Sequence, residues 1–268
     1  LFYITSAGIS LLNISTSERR LLYSNTTEDF FQVPSLYYDD QLKRLWIGTG
    51  SAGLFYYDII RKSLSDIPIR NFPKQPILAI RKDAKNTLLI GIDGQGIWNI
   101  SEKGDTILHI YKEDLNNPFS LRGDGVYDIL CDGSKNWIAT FTGKLSFFEN
   151  NNSQITPVTY QINNPNSLGN NYVNQIIEDH EGHIWFATNN GVSRWDAASN
   201  KWKHYYQNKS EQAKVFLSLC EDNQGHIWAG SYSSGIYLLD RETGKTLKHY
   251  SSKTNTPGFT GDFIFFFF

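Results

Sequence analysis

Apolar and polar positions alternate in short runs along almost the whole chain. The runs last four to seven residues and end at Gly, Asn or Asp, and no segment sustains a helical period. Such runs bounded by turn residues predict strands. The strands fall into a repeating frame. Residues 222–240 read DNQGHIWAGSYSSGIYLLD, 179–196 read DHEGHIWFATNNGVSRWD, and 40–58 read DQLKRLWIGTGSAGLFYYD. The shared order is Asp, a short turn, an apolar-Trp step, small residues, Gly and a second alternation. Residues 83–100 fit with Leu89 in the Trp slot, and 132–148 fit with Trp137 one place early. The frame Asp positions are Asp40, Asp83, Asp132, Asp179 and Asp222, spaced by 43, 49, 47 and 43 residues. An apolar pair three apart precedes most of them: Ile77/Ile80, Val126/Ile129, Val173/Ile176 and Phe216/Leu219.

Four short strands per unit of about 45 residues predict a blade of a β-propeller. A lone four-stranded sheet cannot bury both faces, whereas stacked blades cover one another. The fold class expected is therefore all-β, a β-propeller of four-stranded blades. The units lie near 1–29, 30–72, 73–119, 120–166, 167–210 and 211–259, all in one propeller spanning 1–268. Residues 260–268 supply a closing or next-blade strand, which makes six blades or seven. Trp46, Trp137, Trp185 and Trp228 are expected between sheets, where an indole buries a large apolar area. Gly53, Gly96, Gly143, Gly191 and Gly235 are expected at tight turns.

Composition narrows the class. The 268 residues are 40% hydrophobic and 15% aromatic, enough for a sizeable core. Charged residues are 19% and the net charge is −2, which gives no basic footprint for nucleic acid. No apolar run reaches membrane-spanning length, so this segment is expected to make no membrane contact. The chain starts at Leu1 inside a strand-like pattern and is read as an excerpt of a longer protein.

The frame NPNSLGNNYVNQIIEDHEGHIWFATNNGVSRWD (164–196) resembles the two-component regulator propeller repeat. NNPFSLRGDGVYDILCDG (116–133) and EDNQGHIWAGSYSSGIYLLD (221–240) look like further copies. The resemblance implies the extracytoplasmic sensor region of a hybrid two-component histidine kinase from polysaccharide-degrading bacteria. It implies a periplasmic ectodomain of an inner-membrane protein that responds to oligosaccharides and regulates polysaccharide-utilisation genes. Its implied partners are an oligosaccharide, a neighbouring propeller and β-sandwich of the same chain, and a second copy in a homodimer. The parent would be a kinase, but no kinase segment occurs here, so this chain is expected not to be an enzyme. A propeller lyase or lactonase, and a plain protein-interaction scaffold, are the alternatives.

Candidate chemistry is sparse. His183 and His226 share one slot of the frame, and His204 and His249 share another, which points to scaffold roles. No HExxH or CxxC spacing occurs, so neither metal nor cofactor is expected. The frame aspartates suit turns, because a carboxylate accepts turn amides. Cys131 and Cys220 are expected as buried thiols two blades apart, too far for a disulfide. Residues 91–96 (GIDGQG) lack the lysine and helix of a phosphate loop. Binding function is expected in the variable loops that lead into the first strands, at 71–76, 120–127, 167–173 and 211–215. Sugar recognition wants planar hydrogen-bonding groups and aromatic platforms. Arg122, Asp124, Asn170, Asn171, Tyr172, Gln212 and Lys214 offer these, with Phe141, Asn189, Asn190 and Tyr232 as second choices.

Overall fold

The computed structural model describes residues 2–5, 8–24, 35–141, 144–206, 215–254, 259 and 261–264. Every regular element among them is a strand, and the strands form antiparallel sheets in sequence order. The chain divides into two compact units, Leu1–Glu113 with Asp124–Val126, and Asp114–Gly123 with Tyr127–Phe268.

The first unit holds three sheets. One is three-stranded: β1 (Phe2–Thr5), β2 (Gly8–Leu12) and β3 (Arg19–Ser24). Two are four-stranded: β4 (Ser35–Asp39), β5 (Arg44–Gly48), β6 (Leu54–Asp58) and β7 (Ser63–Asp66); then β8 (Ile77–Lys82), β9 (Leu88–Ile92), β10 (Gly96–Ile100) and β11 (Ile107–Tyr111). The second unit holds three four-stranded sheets, save for Val126. They are β12 (Val126–Cys131), β13 (Lys135–Thr140), β14 (Lys144–Glu149) and β15 (Asn152–Val158); β16 (Val173–Glu178), β17 (Ile184–Thr188), β18 (Gly191–Asp196) and β19 (Lys201–Tyr205); and β20 (Phe216–Glu221), β21 (Ile227–Ser231), β22 (Ile236–Leu239) and β23 (Thr246–Tyr250). This is the predicted β-propeller of four-stranded blades.

The core forms between consecutive sheets. Trp46 packs with Ile77, Ile80, Leu88 and Ile90 of the next sheet. Trp185 packs with Phe216, Leu219 and Ile227 of the next, and Trp137 with Val173, Ile176 and Phe186. Trp228 occupies the same slot but is only half-buried, stacked on Tyr250. A polar column between the apolar pairs ties neighbouring sheets together. The Ser35 hydroxyl donates to the Ile77 carbonyl, and the Ser218 hydroxyl to the Ile264 carbonyl. At the equivalent positions Asp128 accepts the Ile176 N–H and Gln175 accepts the Leu219 N–H. Each bond satisfies a backbone group that burial would otherwise leave costly.

Ile264 occupies on the last sheet the place that Ile77 occupies on the second. Its N–H reaches the Ser231 carbonyl as that of Ile77 reaches Thr49, and it covers Gly230 as Ile77 covers Gly48. The segment 262–264 is thus laid down as the start of a further first strand. Residues 265–268, expected to continue it, lie outside the described residues, as does Gly143.

Two glycines carry the turn geometry most clearly. Gly235 has φ +77°, and a Cβ there would stand 2.0 Å from the Tyr250 carbonyl oxygen. Gly133 has φ +83° with open space around it. Gly235→Ala is expected to cost about 2–4 kcal/mol, from strain and backbone collision together. Gly133→Ala should cost about 1 kcal/mol, for strain alone. Urea unfolding of the two variants measures the difference, and equal costs would refute the collision.

Two expectations are corrected. Asp39, not Asp40, holds the frame position in the second sheet. Its carboxylate accepts the Gln41 and Leu42 N–H groups and it is buried, whereas Asp40 is exposed and pairs with Lys43. Ladder pairing sets this: Tyr37 lies opposite Trp46 as Cys220 lies opposite Trp228, so Asp39 aligns with Asp222. Cys131 and Cys220 are half-buried rather than buried.

Candidate functional site

The frame aspartates form turn cores rather than a reactive set. Asp179 accepts the Glu181 and His183 N–H groups at 3.0 and 2.9 Å and the Trp185 indole N–H at 2.8 Å. Asp222 repeats this with Gln224, His226 and Trp228, each at 2.9 Å. Asp132 accepts Ser134, Lys135 and Trp137, its turn being one residue shorter. Asp83, with Leu89 in the Trp slot, takes the Thr87 N–H and hydroxyl instead. Burial acts to raise the Asp222 carboxyl, but the Trp228, His226 and Gln224 donors outweigh it and hold it at about 2. That stabilisation is present above the ordinary carboxylate range and lost as pH falls toward 2. His183 and His226 each turn Nδ1 to their own Asp, at 3.0 and 3.1 Å. These histidines brace turns.

The opposite ends of the second unit's sheets are different. There the loop before each first strand meets the turn between the second and third strands. The Asn189 N–H donates to the Tyr172 carbonyl at 3.1 Å, and the Tyr232 N–H to the Val215 carbonyl at 2.9 Å. A hydroxyl latch closes each turn: Thr140 donates to the Lys144 carbonyl, Thr188 to that of Gly191 and Ser231 to that of Gly235. The residue after the latch is the turn tip, which is Phe141, Asn189 or Tyr232. The latch is internal and closes each turn without the tip side chain.

Exposed aromatics collect at these ends. Phe141 is 62% exposed and pairs with Tyr127 at 5.3 Å; Tyr232 pairs edge-on with Phe263 at 5.0 Å. Tyr172 is 52% exposed beside the Asn189-Asn190 turn. Asn174 ties the neighbours together, its amide donating to Asn189 Oδ1 at 2.9 Å and to the Phe216 carbonyl at 2.7 Å. Rings with free faces beside amides can stack on an apolar ligand face and hydrogen-bond its rim. Sequence reasoning missed Tyr127, Asn174 and Phe263. Phe263 and Tyr172 each immediately precede the first residue of a first strand, and that shared position was the available signal.

The predicted ligand residues separate into two kinds. Tyr172 belongs to the exposed set. Asn170 sits beside it, with Oδ1 accepting the Tyr172 N–H at 2.9 Å. Asp124 and Asn171 carry a repeated scaffold contact: Asp124 Oδ1 accepts the Glu113 N–H and Asn171 Oδ1 the Tyr160 N–H, both at 2.7 Å. Asp262 does the same for Ser252. The Arg122 guanidinium donates to the Pro118 carbonyl at 2.7 Å within its own loop. Gln212 and Lys214, with Glu211, lie outside the described residues. Among the described residues no cluster of His, Cys, Asp and Glu suits a metal, and no helix is long and apolar enough to cross a membrane.

Two stretches, 167–190 and 210–233, match the family model described as two component regulator propeller. Each match begins in the loop before a first strand, runs through the Asp turn and ends at the following turn tip, so the family pattern covers the same pieces in consecutive sheets. No curated protein matches the chain. Among solved structures, the extracellular domain assigned to a hybrid two component system of B. thetaiotaomicron is 18% identical with a TM-score of 0.55. That match covers 99% of this chain and 39% of the other. The computationally designed protein Ika8 is 12% identical with a TM-score of 0.65, covering 93% and 70%. The extracellular domain assigned to a one component system of B. thetaiotaomicron is 19% identical with a TM-score of 0.43, covering 98% and 42%. The chain thus spans about two fifths of the extracellular domains it matches.

Proposed function

We propose that this chain is a non-enzymatic, ligand-recognising propeller from the periplasmic ectodomain of a hybrid two-component signalling protein. Its ligand is an oligosaccharide, and the response is regulation of polysaccharide-utilisation genes by the parent protein. The observation that carries this reading is the pair of regulator-propeller matches in consecutive sheets. The exposed end of the second unit supports a ligand role, since Tyr172, Tyr232, Phe141 and Phe263 each expose half or more of a large ring there. The partners are a neighbouring propeller, a β-sandwich and a second copy of the parent. Signalling follows from a ligand that binds one arrangement of the ectodomain better than another, because only differential affinity shifts such an equilibrium.

A thermal-shift screen against plant and host oligosaccharides tests this. A ligand at about 100 times its dissociation constant stabilises the folded chain by roughly 2.7 kcal/mol. Tyr172→Ala and Tyr232→Ala should abolish the shift while leaving the unliganded melting temperature nearly unchanged, because both rings are half exposed. No shift with any glycan would overturn the sensing reading. A shift that survives both substitutions would remove the site from this face.

A further inference from the structure

The loop 159–172 contains no Asp, Glu, Lys or Arg. It borders a solvent-open pocket of about 270 Å³ lined by Tyr160, Gln161, Asn163, Asn164, Leu168 and His204, together with a proline and a glycine. We propose that this pocket is a binding subsite for a single uncharged sugar ring, separate from the exposed rings around Tyr172. The proposal takes its ligand class from the sugar-sensing reading; its location and its selectivity are independent of that reading.

The loop is fixed before any ligand arrives. The Tyr160 N–H is held by Asn171, the Gln161 N–H by the Ser167 hydroxyl at 3.0 Å, and that hydroxyl donates to the Asn164 carbonyl at 2.9 Å. Binding therefore spends little on ordering the loop. His204 closes one side. It lies 3.1 Å from the Pro165 carbonyl through Nε2 and 3.1 Å from the Ser193 hydroxyl through Nδ1. A carbonyl can only accept, so Nε2 carries a proton, and the Ser193 hydroxyl engages Nδ1. Burial pushes the His204 pKa down and favours the neutral ring.

Within this fixed frame some groups are left over. Gln161 Oε1 accepts the Asn164 side-chain NH2 at 2.7 Å, a bond that leaves the donors of the exposed Gln161 amide unused. The exposed Asn163 side-chain amide makes no hydrogen bond among the described residues, and Asn163 is held at φ +61°. The Tyr160 ring is 44% exposed at the rim. An aromatic wall, unengaged amide donors and acceptors, and no ionised group together suit an uncharged polyhydroxylated ring. A carboxylate or sulfate would find no counter-charge in the lining, which holds no Lys or Arg. The volume lies below the roughly 300–1,000 Å³ of drug-sized sites, which limits the pocket to one ring.

Titration of the whole chain with D-glucose, D-galactose, D-mannose and N-acetyl-D-glucosamine, and separately with D-glucuronate, tests the proposal by ligand-observed NMR. At least one neutral sugar should bind, and glucuronate should bind about tenfold more weakly or not at all. Tyr160→Ala and Asn163→Gly should each weaken the neutral sugar by about tenfold. Glycine accepts the left-handed backbone at 163, so this second variant removes the amide without strain. Neutral-sugar binding indifferent to both pocket variants overturns the site, and equal binding of glucuronate overturns the selectivity. Absence of monosaccharide binding alongside an oligosaccharide thermal shift overturns the pocket alone. Absence of both overturns the sensing reading as well.

Discussion

Lys82→Ala is expected to destabilise the first unit by about 3–5 kcal/mol, the cost of leaving buried charge unpaired. The Lys82 ammonium lies 3.0 Å from Asp39 Oδ2, 2.6 Å from Glu102 Oε1 and 2.9 Å from Gln41 Oε1. Its side chain is 9% exposed and that of Asp39 is 1% exposed. Removing the ammonium strands the Asp39 carboxylate where water cannot replace the lost partner. Burial acts to lower the Lys82 pKa, but the Glu102 and Asp39 contacts outweigh it and raise it. A cation with a raised pKa gives its full stabilisation below its unfolded pKa and loses it only as pH rises through the folded value. The Lys82 effect should therefore be constant across neutral pH.

The second unit builds the same junction with opposite charge. Glu221 stands at the Lys82 position and Arg241 at the Glu102 position, and the Arg241 guanidinium reaches Glu221 at 3.6 Å and pairs with Glu181. His180 joins this junction, its Nδ1 lying 2.5 Å from Glu221 Oε1. The swapped double variant, Lys82→Glu with Glu102→Arg, should be more stable than the two single losses predict. The expected coupling is about 1–3 kcal/mol in a double-mutant cycle by urea unfolding. Single effects that simply add would mean that the junction behaves as screened surface charge.

Trp185→Ala should cost about 3–5 kcal/mol, and Trp228→Ala about 1–3 kcal/mol, although both residues fill the same slot of the frame. Trp185 is fully buried, stacks on Tyr205 at 5.3 Å and is covered by Phe216 and Leu219 of the next sheet. Trp228 makes the same indole bond to its Asp but is only half-buried. Truncating Trp185 opens a cavity between sheets, whereas truncating Trp228 removes one wall of a partly wet site. Trp185→Phe separates the hydrogen bond from the burial and should cost about 1–2 kcal/mol. Chemical unfolding of the three variants gives the ranking, and equal losses for the two alanine variants would deny that burial sets the cost.

The repeated elements were legible because their chemistry is local. An Asp that caps its own turn, a Trp six residues later and a Gly at positive φ all act within one hairpin, so their spacing survives in the sequence. Trp137 shows the tolerance of this code: its turn is one residue shorter, yet the indole still reaches Asp132. The frame became ambiguous where two aspartates stand side by side, and only ladder pairing chose Asp39 over Asp40. The candidate ligand residues were less legible. Asp124 and Asn171 offered suitable side chains, but their oxygens are taken by backbone N–H groups eleven residues back. Tyr127 and Phe263 were hidden because exposure depends on what packs above a strand end, and the sequence pattern of a strand does not say that.

By itself, then, the sequence determined the all-β blade repeat, the sites of its turns and the slots for its buried indoles. Each of these rests on a short-range period or an interaction within one hairpin. Tertiary structure decided which Trp is fully covered, which charge faces which across a junction, and which loop side chains remain free. Those outcomes depend on the next sheet, whose contacting residues lie about 40 or more positions away.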